Sequence, residues 1–149
     1  MAFALETITD EGFLNNPYRS VRYLDNTVTT GYSFQAEEYP NTRTSNSVAI
    51  RARYFLPHRA AIHGGYRIFS DSWAITANTF ELGYTLPHKE DWVFEFTYRY
   101  HDQTRADFYS DLFPFGGLDN KPQNFLARDK ELSTFNDHSL GFGGSYEFI

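Results

Sequence analysis

The sequence predicts an all-β fold, an antiparallel up-and-down transmembrane β-barrel with about six strands in this chain. Three observations carry that expectation. Hydrophobicity alternates with period two along nearly every segment that has a period, the pattern of a strand with two unlike faces. The apolar register is heavily aromatic, with Tyr, Phe and Trp at 19% of residues, although the mean hydropathy is polar at -0.53. Short turns at one end of the strands oppose long polar loops at the other, the asymmetry of outer-membrane barrels.

In chain order, a weaker first strand lies around "FALETIT" near the start. From Val48 the even positions Val48, Ile50, Ala52, Tyr54 and Leu56 are apolar, whereas Arg51 and Arg53 hold odd ones. The run 60–69 keeps that register, with Ala60, Ile62, Gly64, Tyr66 and Ile68 against His63 and Arg67. Residues 75–86 set Phe80, Leu82, Tyr84 and Leu86 against Thr79, Glu81, Gly83 and Thr85. The run from Trp92 sets Trp92, Phe94, Phe96, Tyr98 and Tyr100 against Glu95, Thr97, Arg99 and His101. The last, from His138, sets Leu140, Phe142, Tyr146 and Phe148 against Ser139, Ser145 and Glu147.

Between these runs the chain repeats itself, "YFLPHR" at 54–59 and "YTLPHK" at 84–89. Proline cannot donate to a strand ladder, so each copy is expected to close a strand and turn directly into the next, both at the same sheet end. The opposite end carries "FSDSW" and the polar segments of about 10–43 and 103–136, expected to be outer loops. Phe108, Tyr109, Phe113 and Phe115 are too many aromatics for a free coil, so part of the second loop should fold inward or against the strands.

The wet register collects Arg51, Arg53, His63, Arg67, Glu81, Glu95, Arg99, His101 and Glu147, a mixed-sign set suited to cross-linking a polar lumen. The greasy register holds Tyr54, Phe80, Tyr84, Trp92, Phe94, Phe96, Tyr98, Phe142, Tyr146 and Phe148, expected to face lipid; Tyr54, Tyr84, Trp92, Tyr146 and Phe148 fall near strand ends, where interfacial girdles sit. A soluble antiparallel barrel also alternates, and would bind a hydrophobic ligand inside its aromatic face; its inner face is ordinarily more aliphatic.

The 149 residues suit one domain and not two. The absence of cysteine excludes disulfides and thiolate metal sites. A net charge of -6 and a pI near 5.3 argue against nucleic acid, which demands a clustered basic face. No stretch reaches the roughly 18 uncharged apolar residues of a membrane helix, and "MAFALETITDEG" lacks the regions of a signal peptide. Six strands cannot close a barrel whose smallest form has about 8. Further N-terminal strands, or strands from sister subunits, are therefore expected beside these, with a leader upstream.

A search for chemistry yields no catalytic or metal site and no cofactor. His58 and His88 occupy equivalent turn positions and could approach one another, but two ligands without a third make a weak site. His63 and His101 share the wet register with Arg67 and Arg99 and belong with a lumen network. Asp137, His138 and Ser139 are adjacent, yet strand alternation should turn His138 away from the other two. No nucleophile elbow or phosphate-binding loop is present.

The ending "GGSYEFI", with Tyr146 and Phe148 on the apolar register, resembles the terminal strand read by the bacterial outer-membrane assembly machinery. Wider stretches, "GFLNNPYRSVRY", "YPNTRTSNSVAIRARYFL", "DQTRADFYSDLF" and "ARDKELSTFNDHSLGFGGSYEF", resemble the C-terminal part of a Gram-negative outer-membrane family, domain of unknown function thirty-five-seventy. The resemblance runs from Gly12 nearly to the end. It implies a β-barrel in the bacterial outer membrane and brings no catalytic residues. The expected role is a porin-like channel for small solutes or a shell around a partner, with outer-membrane lipid outside and a plug or periplasmic partner left open.

Overall fold

Alternation of β-favouring residues builds eight strands: β1 Ala2–Glu11, β2 Ser20–Leu24, β3 Tyr32–Ala36, β4 Thr42–Phe55, β5 Ala61–Asp71, β6 Thr76–His88, β7 Trp92–Gln103 and β8 Phe135–Tyr146. They belong to a computed structural model that describes residues 1–89, 91–114 and 125–147. Phe115, Phe148 and Ile149 lie outside the described residues. Six strands form one sheet in the order β1-β4-β5-β6-β7-β8, and β2 pairs with β3 in a separate hairpin. Every pairing between these strands is antiparallel, so the fold is all-β and the large sheet is an up-and-down meander.

The sheet contains the six strands expected from the sequence, and its outer strands β1 and β8 each have one neighbour, so it is open. Its strands reach further toward the loop end than the apolar pattern does: β4 begins at Thr42, β7 runs to Gln103 and β8 begins at Phe135. Polar pairs such as Thr9 with Thr44 and Asp10 with Arg43 continue the ladder there, because backbone hydrogen bonding persists after the two faces cease to differ.

The repeated segments make the two tight connections at the other end. Arg59 and Lys89, the basic residues that close each copy, both adopt left-handed backbone, with φ of 66° and 58°. Their prolines differ from expectation in one respect. Pro57 lies in the turn, but Pro87 is inside β6, opposite Val93. It is tolerated because the β5 ladder ends at Ala61 opposite Thr85, which leaves the other side of β6 unpaired at Pro87.

Glycines punctuate the charged face. A Cβ on Gly83 would collide with the His63 ring, and one on Gly141 with Thr97 Oγ1. Small residues thus make room for large neighbours on the same face.

The hydrophobic core is not between two sheets. It lies at the loop end, where Tyr39, Trp73, Ile75, Ala106, Phe108 and Leu132 pack together and Val21, Phe113 and Leu126 form a second cluster. The two long loops therefore fold into a cap. The first contains the β2–β3 hairpin; the second contributes residues 104–114 and 125–134, including a 3-10 turn at Lys130–Leu132. Phe108, Tyr109 and Phe113 are buried in it.

Candidate functional site

Cross-strand pairing sorts the side chains into two faces without exception among the charged residues of the wet register. Arg53 faces His63, Arg51 faces Gly65, Gly65 faces Glu81 and Glu81 faces Arg99; Arg67 faces Thr79, Thr79 faces His101 and Thr85 faces Glu95. Glu147 follows β8 and its N–H bonds to the carbonyl of Asp91 at 2.9 Å. Arg51, Arg67, Glu81 and Arg99 line one groove. Within it Arg67 reaches Ser47 Oγ at 3.3 Å and Glu6 at 3.6 Å, while His101 Nδ1 lies 2.9 Å from the Thr79 hydroxyl. His63 lies over Gly83.

The other face is apolar and bare. Tyr54, Phe142 and Leu140 are 70%, 69% and 86% exposed, and Phe80, Phe94, Phe96 and Tyr98 share their register. Rings lean on one another along it: Trp92 and Tyr146 are 4.9 Å apart by centroid, and Phe96 and Phe142 are 5.0 Å apart. Near the turn end Tyr84 exchanges a 3.1 Å hydrogen bond with His58, and Trp92 and Tyr146 stand at strand termini. The apolar band also steps sideways across the sheet. Val48 and Ile68 pair at its loop-side limit, but Ile68 also faces Asn78, so the band in β6 starts one side-chain pair nearer the turns, at Phe80. In β8 it starts nearer still, at Leu140, since His138 faces Tyr100 and Tyr100 faces Phe80.

The cap sits on the charged face. Phe69, Ile75 and Ala77, all in the wet register, pack against or within its core, and Gln103 Nε2 donates to the carbonyls of Glu131 and Ser133 at 2.8 and 3.0 Å. Glu131 and Leu132 close the loop end of the groove lined by Arg67, Arg99 and His101. Two features hold the cap down. Asp71 binds Arg43 and accepts from the Trp73 and Ile75 amides, while Trp73 Nε1 donates to the Thr42 carbonyl at 3.0 Å. The buried Glu37 accepts the Tyr39 hydroxyl at 2.6 Å and the Arg128 amide at 2.8 Å, joining the two loops. Burial, then the bond to Glu37, push the Tyr39 phenol above its ordinary value. A surface strap adds Lys130 to Asp111 and Tyr109; these hydrogen bonds hold the Asp111 carboxyl below its ordinary value and raise the Lys130 ammonium.

Asp137, His138 and Ser139 divide as alternation dictates. Ser139 Oγ donates to Asp137 at 2.9 Å on the charged face, whereas His138 Nδ1 pairs with the Tyr98 hydroxyl at 2.9 Å on the apolar one, so no triad forms. Among the described residues no three His, Cys, Asp or Glu side chains gather as a metal site. His58 meets Tyr84, and His88 lies 6.3 Å by centroid from Phe94.

The cap residues Glu37, Tyr39, Arg43, Asp71 and Trp73 were not legible as functional. The available signal was a tryptophan two residues after an aspartate in an otherwise polar "FSDSW".

Neither curated proteins nor solved structures show similarity to this chain. A family described as a protein of unknown function (DUF3570) matches residues 1–149, including β1, which precedes the stretches singled out from the sequence. The alternating wall and the folded loops are thus features of a member of that family: the chain belongs to DUF3570.

Proposed function

We propose that this chain is part of the wall of a bacterial outer-membrane β-barrel, a porin-like channel whose charged face lines the lumen and whose cap narrows the outer mouth. The observation that carries the reading is an inversion: the folded cap lies on the charged face, and no described residue covers the apolar one. In water a sheet buries its greasy side. In a bilayer hydrocarbon takes the place of a core, and the bare aromatic face is the stable arrangement.

Other features support the same reading. Strands of 10 to 14 residues in the large sheet are long enough to cross at a tilt. The sideways stepping of the apolar band suits strands inclined to a flat membrane, as barrel closure requires. Unpaired backbone groups in hydrocarbon cost several kcal/mol each, so β1 and β8 need partner strands from the same barrel or from sister subunits. Outer-membrane lipid is the remaining partner; the reading includes no catalytic step, cofactor or nucleic acid.

Fractionation tests the location and planar-bilayer recording tests the pore. The full-length native protein should partition with outer membranes, require detergent and migrate differently cold and boiled. Recovery in the soluble fraction without detergent would overturn the membrane reading and favour a soluble barrel. A folded, membrane-extracted protein that carries no current would overturn the channel and favour a shell.

A further inference from the structure

We infer that the charged face carries a mid-height belt selective for small anions; this rests on the channel reading above. Three successive cross-strand rows make the belt. They contain Arg53 with His63, then Arg51 with Glu81 and Arg99, then Arg67 with Thr79, His101 and Asp137. Four guanidiniums therefore stand beside two carboxylates, in a chain whose overall charge is -6. The excess is local and opposite to the average.

The nearest further acids stand in the flanking rows and not within the belt: Glu6 of β1 approaches Arg67 at 3.6 Å from the loop side, Glu95 faces Thr85 one row nearer the turns, and Glu131 of the cap closes the loop end of the adjoining groove. Among the described residues no carboxylate forms an ion pair with Arg51, Arg53 or Arg99. Among the described residues Glu81 is the single carboxylate lining the groove it shares with Arg51, Arg67 and Arg99. Gly65 lies between Arg51 and Glu81 in the row, so no side chain stands between the two charges there. Guanidinium donors that lack a carboxylate partner offer hydrogen bonds to chloride or an oxyanion. Low-dielectric walls would focus their field along the passage.

The test is the reversal potential of the full-length protein in a planar bilayer across a KCl gradient of about tenfold, recorded at low and high salt. Wild type should favour chloride. R99E and R51E should lower the chloride-to-potassium permeability ratio by about threefold or more, R99Q should fall between, and high salt should shrink every preference. The cold-to-boiled gel shift establishes that each variant is folded. Cation preference in wild type, or an unchanged ratio in folded R99E, overturns the belt and leaves the channel standing. Absence of current from both wild type and a cap-loosened E37A protein overturns the channel, and the belt with it.

Discussion

Asp71 accepts the Nε and Nη2 donors of Arg43 on one carboxylate oxygen, at 2.8 and 2.7 Å, and gives its other oxygen to the Trp73 and Ile75 amides. Arg43 lies 4.6 Å from the centroid of the Trp73 ring, so a single aspartate aligns the β5–β6 turn, the foot of β4 and the cap core. Its side chain is fully enclosed. Removing it leaves a half-buried guanidinium and two amides without acceptors. D71A should therefore cost about 3 to 5 kcal/mol of cap stability. D71N retains an amide oxygen and should cost roughly half as much. Urea midpoints read from Trp73 fluorescence check the order; equal losses would mean that the charge contributes nothing.

The sheet was legible in the sequence, and so was the inward folding of the second loop around Phe108, Tyr109 and Phe113; the rest of the cap was not, for a physical reason. A strand announces itself wherever its faces differ, and Ile50 beside Arg51 or Phe96 beside Glu95 differ strongly. The hairpin "SVRYL" and "YSFQA" is five residues a side and amid polar neighbours, so its alternation is a weak signal. Cap contacts also join distant residues: Glu37 and Arg128 are 91 positions apart, and nothing local marks either one. "FSDSW" is the expected connection at the loop end; what its sequence does not show is that Asp71 closes the turn on its own following amides, which lets Trp73 be buried.

Glu37 is the second clasp, and it governs the opening of the loops rather than the strands. E37A deprives the Tyr39 hydroxyl and the Arg128 amide of their acceptor inside the cap, an expected loss of about 2 kcal/mol. Because the sheet does not depend on it, the cold-to-boiled gel shift should persist. Protease cleavage within the loops should become faster, and on the channel proposed above unit conductance should rise. A variant with unaltered cleavage would show that the other inter-loop ties, the Glu38–Leu126 backbone pair, the backbone bonds of Phe113 to Arg22 and Leu24 and the Arg19–Asp129 ion pair, hold the loops together without Glu37.

Alkaline pH should loosen the same cap. The Tyr39 phenol has a folded pKa raised above 10.0 by burial and by Glu37, so its contribution is complete below pH 10 and is lost as pH rises through the folded value. Lys130 is also raised, from 10.5, by Asp111 and then Tyr109, and acts in the same direction. Asp111 is lowered below 3.8, so its contribution is present above that value and disappears only as acid reaches the folded pKa. Loop proteolysis should therefore accelerate above about pH 10. Y39F should remove much of the alkaline acceleration; the same alkaline profile in Y39F would assign it elsewhere.

Gly83 and His63 offer a test of the charged face itself. The imidazole occupies the volume where a side chain on Gly83 would begin, with Cε1 and Nε2 both inside the contact distance of an ideal Cβ, so the two positions are coupled sterically. His63 Nδ1 is enclosed there without a hydrogen-bond partner among the described residues. G83A must turn the ring out of its rotamer, away from the sheet, at an expected cost of about 1 kcal/mol. With the ring removed the sign changes, because alanine in a strand lacks the conformational penalty of glycine. In an H63A background G83A should be neutral or gain about 0.5 kcal/mol. The four denaturation midpoints form a double-mutant cycle with a coupling near 1 to 1.5 kcal/mol. An additive cycle would mean that the ring leaves Gly83 freely in the folded protein, and that the small-beside-large pairing across β5 and β6 reflects strand geometry alone.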